Sequence, residues 1–263
     1  MGVYVEFIKK SFQQQYAYRA NAYIRIISTL INLSVQISVW EALIKGRESV
    51  NGITFSDMVN FVVINMIALS LSNTDIGSRL AEKISNGSIV IDFIRPVSLK
   101  VYLFSEELGS NVFRTIFSTI PACIMAVIVW KFKLPTNILN LLFFTVSIIL
   151  GIALNYYINY VLGLLAFWFK TSFYVDWILG AFFTLFSGTF VPLWFYPKVL
   201  YDISKILPLR FVTFEPIQIY LGKLSYTESL KTILIQLFWF TALVLLERFT
   251  WSKAQTTITV QGG

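Results

Sequence analysis

The sequence predicts an all-α integral membrane protein of six transmembrane helices, and three observations carry that prediction. Hydrophobic residues make up 56% of its 263 positions and charged residues only 13%, about half the roughly 25% charge of an ordinary soluble domain. The mean hydropathy is +0.70. The charges also cluster, leaving long uncharged runs of the length that crosses a bilayer.

Crossing about 30 Å of hydrocarbon takes about 20 helical residues. On that ruler the spans are 22–44, 57–77, 108–130, 138–168, 173–193 and 229–249. They form one membrane domain covering 1–263, since helices packed side by side in a bilayer make one unit and no charge-rich block offers a second. The fourth span is longer than needed, which tilt or projection accommodates.

Residues 1–20 lack the apolar core and small-residue cleavage site of a signal peptide. They read as an amphipathic interface helix. Val5, Ile8, Phe12, Tyr16, Ala20 and Tyr23 recur at steps of three or four, with Lys9, Lys10, Gln13 and Gln14 largely opposite. With the N-terminus cytoplasmic, twelve Lys and Arg fall inside and nine outside. Five of those nine lie in the unusual segment 194–231, so the shorter loops favour two cytoplasmic termini. The tail TTITVQGG reads as short and loose.

A net charge of +7 is explained by span anchoring and anionic lipid, with no need of nucleic acid. Cys123 is the only cysteine and lies in an apolar span, which suits packing and excludes an intrachain disulfide. With no histidine, the usual zinc and triad sets are missing, so no metal or catalytic residues are assigned. A membrane-embedded enzyme would need a cluster of acids, bases or ligands within the spans.

Two connections are too long for turns. The first, 78–107, holds the turn NGS at 86–88, a capping Ser88, and apolar Ile89, Val90, Phe93 and Ile94. Arg95-Pro96 stops that short helix. The physics leaves two readings: a helix tucked under the bundle, or a knob that docks in a groove on a soluble partner. The second connection, 194–228, begins within GTFVPLWFYPKV at 188–199. Gly188, Pro192 and Pro197 predict that the fifth helix breaks near 188–192. The chain beyond is too apolar for an exposed loop and too interrupted for a span. Short helices dipping into the outer leaflet fit, with Trp194, Phe195 and Tyr196 at the interface.

Polar rows within spans point to packing faces or a path. Ser28, Asn32 and Gln36 form one, and Ser147, Gly151, Asn155, Asn159 and Gly163 another, read first as a packing ridge. Arg114 is expected to snorkel towards the cytoplasm with Glu107 as partner, and Asp176 is read likewise.

The spacing of Gly87, Asp92, Phe93, Ile94, Arg95, Pro96 and Ser98 resembles the G-x-x-x-x-x-L-x-R-P-x-S pattern of ABC type-2 exporter permeases, with Phe93 in the leucine position. Ser187-Gly188-x-x-Val191-Pro192-x-x-x-Tyr196-Pro197, then Leu207-Pro208, Pro216 and Leu221-Gly222, resembles the extracytoplasmic segment of that family. The likeness spans essentially the whole chain and is closest to the bacterial six-span subgroup. It implies a permease of the bacterial cell membrane, paired with a second permease that is either the same chain or, more often in this subgroup, a dissimilar one. Two separate ATPase subunits would bring ATP and Mg, leaving this chain without cofactor. That accords with the lack of a G-x-x-x-x-G-K-[ST] loop here.

By the same resemblance, 86–96 would be the coupling helix that meets the ATPase: Gly87, Ser88, Ile89, Val90, Asp92, Phe93, Ile94, Arg95 and Pro96. Asn32 and Gln36, with Tyr174, Trp177, Phe182, Phe183 and Phe186 of the fifth span, would line the path, although those aromatics also suit core or lipid. Re-entrant helices over 188–228 would cap the exit, with Gly188, Pro192, Trp194, Pro197 and Pro208 as gate. The aromatic lining suggests an amphipathic or apolar cargo. The rival reading is a secondary transporter or channel without an ATPase, since broken helices and midplane polar groups occur there too.

Overall fold

The computed structural model describes residues 2–17, 19–133, 135, 137–169 and 173–257. The described residues are helical apart from turns and one isolated bridge between Val50 and Ile53. Helix α1 runs Gly2–Ala17, α2 Arg19–Ile44, α3 Phe55–Ser72, α4 Ile76–Ser85 and α5 Ile89–Ile94. Then come α6 Leu99–Arg114, a π turn Thr115–Thr119 and α7 Ile120–Trp130. They are followed by α8 Ile138–Leu164, α9 Ala166–Phe169 and α10 Phe173–Phe186. The chain ends with α11 Lys198–Ile206, α12 Phe214–Tyr220 and α13 Tyr226–Thr257.

Among the described residues, five stretches are long and apolar enough to cross a membrane: Asn21–Ile44, Phe55–Ser85, Leu99–Trp130, Ile138–Phe169 and Tyr226–Ala254. The expected span 173–193 corresponds to α10, which has 14 helical residues and is about 21 Å long at 1.5 Å per residue.

Two boundaries and one helix face differ from the sequence reading. The connection expected over 78–107 is mostly helix, so the helix that carries the expected span 108–130 already begins at Leu99. Charged residues mark helix ends only when water must solvate them, and here they neutralise one another. Arg79 on α4 donates to Glu106 at 2.7 Å and Glu107 at 3.0 Å on α6, and Lys100 reaches Glu247 on α13 at 2.9 Å. The second span is interrupted at 73–75, between α3 and α4. Finally, α1 turns a different face inward. Tyr4, Phe7, Ile8, Ser11 and Phe12 pack towards the bundle while Val5, Tyr16 and Tyr23 are exposed. Gly109 selects that face: a Cβ there would sit 2.3 Å from the carbonyl oxygen of Ile8. Phe7 then meets Tyr102, and Phe12 meets Phe113, edge to face.

The centre of the bundle is α8. Its row Ser147, Gly151, Asn155, Asn159 and Gly163 is wholly buried. A Cβ on Gly151 would meet the carbonyl oxygen of Val212 at 2.4 Å, and one on Gly163 that of Gly77 at 2.7 Å. Ser147 donates to Gln236 of α13, whose amide donates to the carbonyls of Ser147 and Phe211. This is the packing ridge that the spacing predicts. By contrast α2 sits on the rim: 11% of its apolar stretch is buried within the chain, against 56% for Phe55–Ser85. Cys123 is half-buried against the core around α3, as a packing residue should be.

Candidate functional site

The break in the second span creates the local chemistry of the site. A helix that stops inside an apolar bundle leaves its last carbonyls without partners. Asparagines from neighbouring helices supply the donors. Asn111 of α6 donates to the carbonyls of Leu71 and Asn73 at 3.0 and 2.8 Å, and Asn155 of α8 to that of Ser72 at 2.7 Å. Arg114 joins them: with the Asn73 amide turned to present its oxygen, both Nη atoms donate to it at 2.7 and 3.1 Å. The expected Arg114–Glu107 pair does not form, because Arg79 takes Glu107. Arg114 instead faces a cavity.

That cavity, of about 530 Å³, lies between α2, α3 and the π turn. Asn32 and Gln36 line it with Ser28, so the first-span row is on its wall as the sequence expects. Opposite stand Asn65, Asn73, Ser118 and Thr119, with Arg25 and Arg114 as the two cations. Gln36 donates to Asn32 at 2.7 Å. Asn65, 3% exposed, spends its amide nitrogen on the Thr189 carbonyl and leaves its oxygen without a partner among the described residues. A charge costs about 2.5–3.5 kcal/mol at a bilayer centre on insertion scales and less towards a span's end, so two arginines facing one cavity carry a cost. Sequence reasoning missed Arg25, placing it only as an inner-side anchor, since nothing local showed which way it would face.

The fifth-span aromatics do not form one wall. Trp177 and Phe182 are exposed, Phe186 is buried, and Phe183 lines a separate cavity of about 210 Å³ beside Asn155 and Asn159. The side chains of Tyr174 and Asp176 lie outside the described residues, as do 258–263 of the tail.

At the far end of α4, Gly87 takes φ +77°, the left-handed turn that glycine permits. Arg95 is extended before Pro96, as expected. Ser88 does not cap: its hydroxyl and amide both donate to Asn86 Oδ1, a local turn that captures the hydroxyl first. Helix α5 is fastened through Asp92, which is buried and paired with Lys83 at 2.6 Å and Arg95 at 3.3 Å. Ile89 is also buried, whereas Ile91 and Ile94 are 59% and 79% exposed, with Val90 and Phe93 near 36%. Phe93 leans on Trp251 of α13 at 5.5 Å. Sequence reasoning missed Ile91; the turn at 86–88 sets the phase of α5, and six residues hold too few repeats to reveal it.

The break after Phe186 occurs where glycine and proline predict it. Gly188 adopts φ +73°, and a Cβ there would stand 2.9 Å from Phe214. The freed backbone is covered by protein: Thr213 donates to the Ser187 carbonyl at 2.9 Å and Asn65 to that of Thr189 at 2.9 Å. Pro192 is buried, Pro197 and Pro208 open α11 and a short turn Pro208–Phe211, and every residue of α12 is buried. Trp194 packs on Phe61 and Phe214 and donates its indole N–H to Gln218. Within this segment Arg210 pairs with Glu215 and reaches Ser204 and Tyr201.

A family model described as ABC-2 family transporter protein matches residues 30–262. The chain belongs to the ABC-2 transporter family. No curated protein matches it. The resemblance seen in the motifs therefore holds, and the apolar helices of this ABC-2 chain are those of a multi-pass membrane transport component. Among its described residues, no group of three or more His, Cys, Asp or Glu could hold a metal ion.

Proposed function

We propose that this chain is the permease subunit of an ATP-driven exporter in a bacterial cytoplasmic membrane. It is a single domain of six spans with both termini cytoplasmic. It pairs with a second permease, a dissimilar chain in preference to a copy of itself. Two separate ATPase subunits supply ATP and Mg, and the chain itself performs no chemistry. Residues 86–96 meet those ATPases, the groove beside Asn32 and Gln36 is part of the path, and the segment 188–228 closes the outer end.

The observation that carries this reading is the construction of α5. A six-residue helix is tied to α4 by its buried Asp92 on Lys83, yet turns Ile91 and Ile94 outward. A helix held rigidly from behind with aliphatic residues in front suits the transfer of movement across a contact. An anchored but unmoving surface helix would not need that apolar front. Replacing Ile94 or Ile91 with Asp is expected to abolish copurification of an ATPase and coupled ATP hydrolysis, while the melting temperature of the chain stays near wild type. Unchanged assembly and turnover would sink the reading. Mass analysis of the purified complex settles the second permease: one permease mass supports a homodimer, two a mixed pair.

A further inference from the structure

Arg25 and Arg114 line the same cavity, and among the described residues none that lines it is acidic. Arg25 has no hydrogen bond or ion pair from its guanidinium among the described residues, and Arg114 has only the neutral Asn73 amide as acceptor. Behind Arg114, outside the lining of the cavity, Asp75 and Glu107 attract it, and Arg79 is shared between those two and Glu106. The two guanidiniums therefore repel each other across a site whose other polar groups are hydroxyls and amides. Such an arrangement is relieved by an anion, and guanidiniums match the oxygens of a phosphate or carboxylate in paired geometry.

The cavity also continues. A second groove of about 590 Å³ begins at Gln36, which lines both, and runs along α2 between Val35, Val39, Trp40, Phe190 and Phe195. Its wall is apolar until Arg47 at the far end. Polar and cationic at one end and greasy along the rest, the combined surface has the chemistry of one amphipathic molecule.

We propose that this surface binds an amphipathic anion, its phosphate or carboxylate between Arg25 and Arg114 and its apolar tail along Val35, Val39 and Trp40. The proposal rests on the transport reading above and names the class of cargo. Tight binding is not required of a transporter, only discrimination by charge and tail.

The test is ligand binding to the purified full chain in a neutral maltoside, read as the shift in thermal unfolding. The probes are dodecyl phosphate, dodecyltrimethylammonium and inorganic phosphate. Dodecyl phosphate is expected to stabilise the chain in a saturable manner and the other two to do little. Arg25→Gln should weaken dodecyl phosphate about tenfold, the loss of one charged hydrogen-bonding partner, with Arg25→Lys largely restoring it. Arg114→Lys is expected to keep most of the binding and Arg47→Gln all of it. Arg25→Gln removes the repulsion with Arg114, so without ligand it should melt no lower than wild type. Equal response to the cationic probe, or an unaffected Arg25→Gln, overturns the proposal. Inorganic phosphate acting as strongly as dodecyl phosphate overturns the part played by the tail. Binding is measured without an ATPase, so its failure is distinct from failure of the α5 experiment.

Discussion

Ser28, Asn32 and Gln36 on α2 are spaced four residues apart, as are Ser147, Gly151, Asn155, Asn159 and Gly163 on α8. The first row opens on a cavity and the second disappears into helix contacts. The pattern alone does not distinguish them; glycine does. Gly151 and Gly163 let foreign backbone approach to van der Waals contact, and the asparagines between them then have carbonyls to meet. The α2 row has no glycine, so its neighbours stand off and its polar groups bond to each other or line space. Small residues make a ridge, and a row of only polar ones makes a wall.

The comparison can be broken most severely at the ridge. Gly151→Ala should cost about 3 kcal/mol or more, because the added carbon meets a carbonyl oxygen that cannot move without unseating α12. Thermal unfolding in detergent reads this, and an unchanged midpoint would mean that the two elements are not in contact. Removing a donor from the ridge should hurt less. Asn155→Leu, which strands the Ser72 carbonyl, and Gln236→Leu, which strands that of Phe211, should each cost about 1 kcal/mol. The smallest effect belongs to the wall. Gln36→Leu should leave the melting midpoint within about 0.5 kcal/mol of wild type, because among the described residues its side chain bonds only to Asn32. A large loss there would move α2 into the ridge class.

The same contrast explains what was readable in the sequence. The break at 188 is written in Gly188 and Pro192, local residues with local effects, and Gly87 and Pro96 delimit α5 in the same way. The break at 73–75 is Asn-Thr-Asp, with no proline or glycine. It depends on Asn111 and Asn155, 38 and 83 residues from the carbonyls of Asn73 and Ser72 that they satisfy. The early start of the third long helix depends on Arg79 finding Glu106 and Glu107 across a gap that no window of sequence contains. Of the site, Asn32 and Gln36 were legible as a row, whereas Arg25 became a site residue only through its position opposite Arg114.

The π turn at Thr115–Thr119, closed by the amide of Ile120 on the carbonyl of Thr115, has its own consequence. It takes up one residue more than an α turn over the same path. Were those residues to relax into regular helix, one half of Leu99–Trp130 would rotate against the other by about 100°. Either Arg114 and Asn111 would leave the cavity and the helix break, or Ala122 and Ala126 would leave the core. Shortening the turn by one residue would keep both halves in phase. The helix therefore carries one spare residue, and the angular alignment of its two ends depends on where that residue is stored.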